Sequence, residues 1–185
     1  MIDFNKITNY NRTRHELEEF ALFSIMVAGK TAKTVARQLN EFLEAIPGSS
    51  PFDKITHLIE AGQLLRTMKK HRLGMYQKLN KAFREIIQYD LRSITVEDLE
   101  QIHGIGPKTA RFFILHSRAK AQHAVLDTHI LKYMRTLGHD APKATPTGRK
   151  YRDLERAFLD HARLKKVSVA KLDFKIWKEY SEGLR

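Results

Sequence analysis

The segment from Ile102 to His129, IHGIGPKTARFFILHSRAKAQHAVLDTH, constrains the fold more than any other part of the chain. Gly104 and Gly106 permit a tight hairpin, because glycine tolerates positive φ. Pro107 suits the first turn of a helix, where its missing N–H goes unused. The backbone N–H groups after the hairpin then point outward at the positive end of a helix dipole, which binds phosphate without a side chain. Lys108 sits in that same turn, and one reversal of the chain brings Asp127 to face it. A phosphate cradle beside an amine and a carboxylate is a site for chemistry on nucleic acid.

Apolar spacing predicts helices on both sides of this segment. Leu17, Phe20, Ala21, Phe23, Ile25 and Met26 suit a buried helix from Arg14 to Val27. Thr31 is a candidate N-cap for a second helix reaching Ile46. Pro47 to Pro51 reads as a loop, followed by a short helix from Phe52 to Ala61 and a short turn from Leu64 to Met68. Gln77 to Tyr89 carries Leu79, Phe83, Ile86 and Ile87 on one face. Thr95 and Asp98 form a capping box with Asp in place of the usual Glu, opening the helix before the hairpin. Helices follow from Pro107 to Ser117, from Asp127 or Thr128 to Gly138, from Arg149 to Arg163 and from Ser168 to Glu182. Residues 1–14 read as irregular, with Phe4, Ile7 and Tyr10 as anchors. No strand pattern is present. The chain is expected to be all-α, one domain over residues 1–185 with two lobes sharing a groove. The central lobe spans residues 31–125 with the hairpin at 95–117, and the second combines residues 1–30 with 126–185.

The 33 lysines and arginines against 21 aspartates and glutamates leave a net charge of +12, which favours a polyanionic partner. Without cysteine the chain cannot build a disulfide framework, a thiolate zinc site or an iron–sulfur cluster. The histidines show no HxxxH pair, so no zinc site is expected. No apolar run is long enough to span a membrane, and the opening MIDFNKITNY does not resemble a secretory signal. A cytoplasmic, nucleoid-associated location is expected, or a nuclear one in a eukaryote.

Leu99-x-x-Ile102-x-Gly104-Ile105-Gly106-Pro107-Lys108-Thr109-Ala110, followed by Val125-Leu126-Asp127-Thr128-His129, resembles the helix-hairpin-helix DNA glycosylases related to endonuclease III and 8-oxoguanine glycosylase. The likeness runs from about Glu16 to Tyr180, and residues 99–129 carry its specific part. It implies a two-lobed helical glycosylase fold and an enzyme that flips a damaged base out of duplex DNA and excises it. Lys108 matches the lysine of the bifunctional members, which also cleave the abasic site. A neutral amine there can attack C1′ and form a Schiff base, which permits β-elimination. Asp127 would stabilise positive charge growing on the sugar. The resemblance assigns DNA contact to Gly104, Ile105, Gly106, Thr109 and His129. It also implies a monovalent cation on the carbonyls of Glu100, Ile102 and Ile105, and no other cofactor. The absence of cysteine favours the iron-free branches, several of which act on 8-oxoguanine.

Several side chains have two readings. Phe112 can line the base pocket or pack in the core. Trp177 and Phe174 on the last helix read as core, with base stacking as the alternative; Asp173 is a candidate for reading the base. Relatives place an amide side chain at the turn matching Gly29-Lys30, to fill the gap left by the flipped base. Gly29 cannot do this, which leaves Lys30 or another loop. Lys69-Lys70-His71-Arg72 is either a solvated patch or a phosphate contact. The expected partner is double-stranded DNA with a damaged base, met by a monomer. The alternatives are a glycosylase without lyase activity and a non-catalytic DNA-binding module, which would need neither Lys108 nor Asp127.

Overall fold

Helix α1 (Arg14–Met26) runs through the middle of the molecule because almost its whole circumference is covered: every side chain from Leu17 to Met26 is buried. In the computed structural model, which describes residues 2–181 and Gly183, that enclosure comes from helices placed around it. A helix without a polar face needs neighbours on every side. These are α2 (Ala32–Glu44), α3 (Pro51–Glu60), α5 (Tyr76–Ile86) and α7 (Pro107–Ser117). Thr13 starts α1 with a full capping box: its hydroxyl accepts from Glu16 N–H at 3.3 Å, and Glu16 Oε2 accepts from Thr13 N–H at 2.7 Å. Glu18 is buried yet satisfied. It accepts from Arg14 Nε at 2.9 Å and from Phe52 N–H at 3.0 Å, tying α1 to the first turn of α3.

Two short helices complete the first half: α4 (Leu64–Lys70), where only a turn was expected, and α6 (Val96–Gln101). Pro51 opens α3 rather than closing the loop before it, because Ser50 caps the helix by accepting from Asp53 N–H at 3.2 Å. Thr31 does precede α2, but its hydroxyl bonds Thr34 at 2.9 Å instead of capping the backbone. Helix α5 stops at Ile86, short of the expected Tyr89. Within the amino-terminal stretch, Phe4–Lys6 form a single 3-10 turn, Ile7 is buried and Tyr10 is exposed; the side chain of Phe4 lies outside the described residues. So does Glu182, the expected end of the last helix.

Beyond α7 come α8 (Thr128–Thr136), α9 (Gly148–Leu164) and α10 (Val169–Ser181). The buried apolar residues fall into two clusters, one from Ile2 to Ile114 and one from Leu115 to Ile176. This differs from the grouping of residues 1–30 with 126–185. Helix α1 buries its side chains in the first cluster, against α2, α3, α5 and α7. Helix α7 is the wall shared by both clusters: Ala110, Phe113 and Ile114 face the first, Leu115 faces the second and Phe112 packs against both. The stretch from Ile7 to Arg12 crosses the seam. The Arg12 guanidinium donates to the carbonyls of Ile7 at 2.6 Å, Asn9 at 2.7 Å and His116 at 2.8 Å, and lies 3.8 Å over the Phe20 ring. Among the described residues no strand occurs, and no helix is long and apolar enough to cross a membrane.

Candidate active site

The hairpin forms from local rules. Thr95 and Asp98 make the expected capping box, with Asp98 N–H to Thr95 Oγ1 at 3.1 Å and Thr95 N–H to Asp98 Oδ2 at 3.0 Å. Val96, Leu99, Ile102 and Ile105 are buried, which anchors both arms of the turn. Gly104 has φ +79, a region that L side chains rarely adopt, and the Ile105 N–H closes the turn on Ile102 O at 3.0 Å. Gly106 does not need the freedom expected of it: its φ of −96 is open to any residue. A Cβ there would meet nothing within 4 Å, so the surface at Gly106 stays open to an approaching backbone.

Pro107 opens α7 as expected, and Gly106 precedes it in extended conformation. Among the described residues the N–H groups of Gly104, Gly106, Lys108 and Thr109 donate to nothing in the protein. Those of Gly106, Lys108 and Thr109 are the unpaired donors of a helix start, and that of Gly104 belongs to the turn before it. Two expected contacts are narrower than the sequence suggested. Ile105 and Thr109 both bury their side chains, and the Ile105 N–H is used inside the turn. Thr109 can therefore offer an anion only its backbone, and Ile105 neither group.

Lys108 lies half-buried in the first turn of α7, with no ion pair to it among the described residues. Asp127, also half-buried, is the N-cap of α8: its Oδ1 accepts from His129 N–H at 2.9 Å and from Ile130 N–H at 2.8 Å. The cap fixes the carboxylate at a helix start and leaves Oδ2 without a hydrogen bond among the described residues. Both groups act on the carboxyl of Asp173 on α10, which is pushed up by burial and by Asp127 and pulled down by His116 and Lys108. Burial is the largest of these effects. The charges of Lys108 and Asp127 are thus both felt at a third, deeply buried acid.

The chain between α7 and α8 is held by side chains from α9. Tyr151 Oη donates to Ala124 O at 2.7 Å and receives Leu126 N–H at 3.3 Å. Glu155 Oε1 accepts from Ala124 N–H at 3.0 Å and from Arg111 Nε at 2.8 Å, while Arg111 also pairs with Glu100 on α6. One guanidinium therefore joins the hairpin helix, the lysine helix and the strut that delivers Asp127.

Around this centre, Phe112 sits at the seam, its ring 5.7 Å from Phe20 and 5.0 Å edge-on to His116. Trp177 belongs to neither core cluster, contrary to the core reading; it is half-exposed and stacks on Phe174 at 6.1 Å, and Phe174 packs at the edge of the first cluster. The ring of His129 lies 6.4 Å from that of Tyr180. Lys30 does not extend from its turn: its ammonium donates to the carbonyl of Leu73. In the basic patch, Lys69, Lys70 and Arg72 are exposed, whereas His71 packs edge-on against Phe42 at 5.8 Å.

Two residues escaped the sequence reading. The stem of Lys78 lies across Gly104, where an added Cβ would come within 2.6 Å of its Cγ. Burial first, then Lys108, lowers its pKa; burial and then Lys78 lower that of Lys30. Each of these ammonium groups thus feels the next, from Lys30 through Lys78 to Lys108. Met75 is the second: it is 37% exposed, with a left-handed backbone at φ 44, between Gly74 and the start of α5. Lys30 holds this loop through Leu73. Nothing in the local sequence marks either residue, apart from an apolar side chain beside a glycine.

The carbonyls of Glu100 and Ile105 accept no hydrogen bond among the described residues, and that of Ile102 accepts only from Ile105. This donor set suits a weakly held monovalent cation. No cluster of three or more acidic, histidine or cysteine side chains that could hold a metal occurs among the described residues.

Comparison with known proteins places this geometry. Residues 1–167 match the family described as 8-oxoguanine DNA glycosylase. The fold is similar to that of an 8-oxoguanine glycosylase/lyase from Methanocaldococcus jannaschii in complex with a 15mer DNA containing 8-oxoguanine. The TM-score is 0.75 at 20% identity, covering 96% of this chain and 86% of that one. A second structure of 8-oxoguanine DNA glycosylase from the same organism gives a TM-score of 0.70 at 22% identity, covering 96% and 84%. At these identities the likeness speaks for the fold.

Proposed function

The chain belongs to the 8-oxoguanine DNA glycosylase family, and from that premise we propose that it is a bifunctional glycosylase and abasic-site lyase acting on 8-oxoguanine in duplex DNA. The observation that carries the reading is a hairpin with free amide donors leading into Lys108, whose charge is felt, with that of the helix-capping Asp127, at the buried carboxyl of Asp173. A binding module that used the hairpin for phosphate alone would have no use for this grouping. The relative of like fold is a glycosylase/lyase crystallised with 8-oxoguanine DNA, which supports the same substrate.

The steps follow from the chemistry of the groups. The free amide donors of Gly104, Gly106, Lys108 and Thr109 hold a backbone phosphate, and the lysine-lined groove receives the strand. The carbonyls of Glu100, Ile102 and Ile105 would hold a monovalent cation, whose charge would support that phosphate. The damaged nucleotide rotates out of the duplex to reach the site. Neutral Lys108 attacks C1′ as the bond to the base breaks; the electron pair leaves with the base, which takes up a proton. The carboxylate of Asp127 stabilises the positive charge that develops on the sugar. Ring opening gives a protonated Schiff base between Lys108 and C1′. Loss of a C2′ proton then expels the 3′ phosphate by β-elimination, and water releases the lysine.

The flipped base lies beside Asp173, whose buried Oδ1 has no partner, with Trp177 and Phe112 available as flat surfaces. A guanine-type base presents N–H donors on its pairing edge, and an unsatisfied carboxylate oxygen accepts them. Met75 enters the gap left in the duplex: an exposed apolar side chain on a strained backbone is suited to wedge between base pairs. Lys30 braces that loop, and His129 contacts the backbone from the first turn of α8. The protein acts as a monomer wherever DNA is, in the nucleoid or the nucleus.

The test is covalent capture. A duplex carrying 8-oxoguanine, incubated with the protein and borohydride, yields a cross-link that Lys108→Gln abolishes. Excision without any cross-link would identify a glycosylase lacking lyase activity. Binding without excision would identify a DNA-binding module.

A further inference from the structure

Asp173 poses a problem that its place near the base does not solve. It is 6% exposed; among the described residues Oδ1 has no hydrogen-bond partner, and its other oxygen meets a single group, His116 Nε2 at 3.3 Å. Isolated in an apolar interior, a carboxyl takes up a proton, and a protonated acid cannot accept N–H donors on both oxygens. His116 is itself 1% exposed, and its far nitrogen, Nδ1, lies 2.8 Å from Thr8 Oγ1. Thr8 comes from the segment that Arg12 straps across the seam, and Arg12 also holds the His116 carbonyl. The three side chains derive from the amino-terminal segment, α7 and α10.

From this chain of contacts we infer that His116 is a positioning residue for base recognition: it donates Nε2–H to Asp173 and keeps that carboxylate charged, while the Thr8 hydroxyl donates to Nδ1 and fixes the tautomer. The inference rests on the reading of Asp173 as the group that meets the flipped base. A histidine's tautomer follows from the bond made by its other nitrogen, and Thr8 makes the useful one the stable one. Other groups facing Asp173 are Lys108 at the start of α7 and Asp127 before α8; Tyr151 on α9 feels its charge. Lys108 favours the carboxylate and Asp127 opposes it, so His116 is the partner in direct contact that favours the charged form.

The arrangement divides the two reactions. Excision needs Asp173 to accept the base's N–H groups; cleavage of a preformed abasic site has no base to read. Excision should therefore be lost as pH falls through the Asp173 carboxyl, which burial raises above its ordinary value. Removing the histidine raises it further, so the acid limb of excision moves to higher pH.

The experiment measures single-turnover excision of 8-oxoguanine and cleavage of a preformed abasic site across pH, for the parent protein, His116→Phe, His116→Gln and Thr8→Val. We expect the acid midpoint of excision to rise by about one unit in His116→Phe, and by less in Thr8→Val. His116→Gln, whose amide retains a donor toward Asp173, should stay closer to the parent. The midpoint for abasic-site cleavage should not follow this order. Superimposable excision midpoints in parent, His116→Phe and Thr8→Val would overturn the inference, as would equal losses in both reactions at every pH. Should His116→Phe not fold, Thr8→Val alone decides. If the parent excised no 8-oxoguanine at any pH, the substrate reading would fall instead, which is a separate outcome.

Discussion

Arg111 Nε reaches Glu155 Oε1 at 2.8 Å, and the same oxygen receives the Ala124 N–H at 3.0 Å. This pair ties α7 to the strut that ends at Asp127, because Arg111 lies one turn after Lys108 and Ala124 lies just before Asp127. Both side chains are nearly enclosed, 11% and 12% exposed. Removing Glu155 leaves Arg111 with Glu100 as its one remaining acidic partner among the described residues, and takes the side-chain acceptor from the Ala124 N–H.

Glu155→Gln should therefore destabilise the fold by about 2–4 kcal/mol, the range for a broken, mostly buried pair. Excision should fall by about tenfold to a hundredfold, since small misplacements of reacting groups are costly. Urea unfolding and single-turnover excision measure the two effects. Burial alone would raise the Glu155 carboxyl, but His123 at 3.5 Å, the bond from the Ala124 N–H and the Arg111 guanidinium outweigh it and hold the group below its ordinary value of 4.5. Its folded pKa is thus depressed. The stabilisation is complete above the unfolded value and is lost as pH falls through the folded one. The gap between parent and Glu155→Gln should narrow as pH falls below 4.5 and close once pH is beneath the depressed folded value.

Asp127 caps α8 and, in the proposed reaction, supplies a charge, and substitutions can separate the two. Asn keeps a cap acceptor but has no charge, so Asp127→Asn should change stability by only a few tenths of a kcal/mol while excision drops by about 10²–10⁴. Asp127→Ala should lose about 1 kcal/mol as well. Equal stability losses in both variants would show that the charge, not the cap, holds the start of α8.

Lys108→Gln should reduce strand cleavage by at least about a thousandfold and eliminate the borohydride cross-link. Affinity for duplex DNA should stay within about threefold, because the hairpin amides remain. Fluorescence anisotropy provides the comparison. A cross-link persisting in this variant would point to another amine, and Lys78 is the first to examine.

The two hairpin glycines should respond differently. Gly104→Ala places a Cβ on a backbone at φ +79, 2.6 Å from Lys78 Cγ, and should cost about 1–2 kcal/mol of stability. Gly106→Ala meets nothing in the protein and should leave stability near the parent's. Its methyl group would instead stand where a phosphate approaches, and DNA affinity should fall. Loss of stability in Gly106→Ala with unchanged binding would contradict this division.

Met75→Ala should keep the fold, as the side chain is exposed, and weaken binding to lesion duplex more than to single strand. A 2-aminopurine beside the lesion reports base flipping, and its fluorescence should rise less in the variant.

The sequence by itself determined what local rules control. The Thr95–Asp98 capping box, Pro107 at a helix start, the Asp127 cap and the all-round burial of α1 involve neighbours a few residues apart, or one helix's own composition. Local rules also implied that Lys108 and Asp127 lie close together, since a single helix and strut separate them. Tertiary structure decided the rest. Thr8, His116 and Asp173 come from three distant segments, as do Arg111, Glu155 and Ala124, and Lys78 crosses Gly104 from another helix. Periodicity tells which face of a helix is buried, but not which residue of another helix it meets. For the same reason Trp177 read as core and lies at the edge, and the helices that enclose α1 were not legible in the sequence. Which side chains touch depends on how helices pack across the seam, and that is a property of the whole fold.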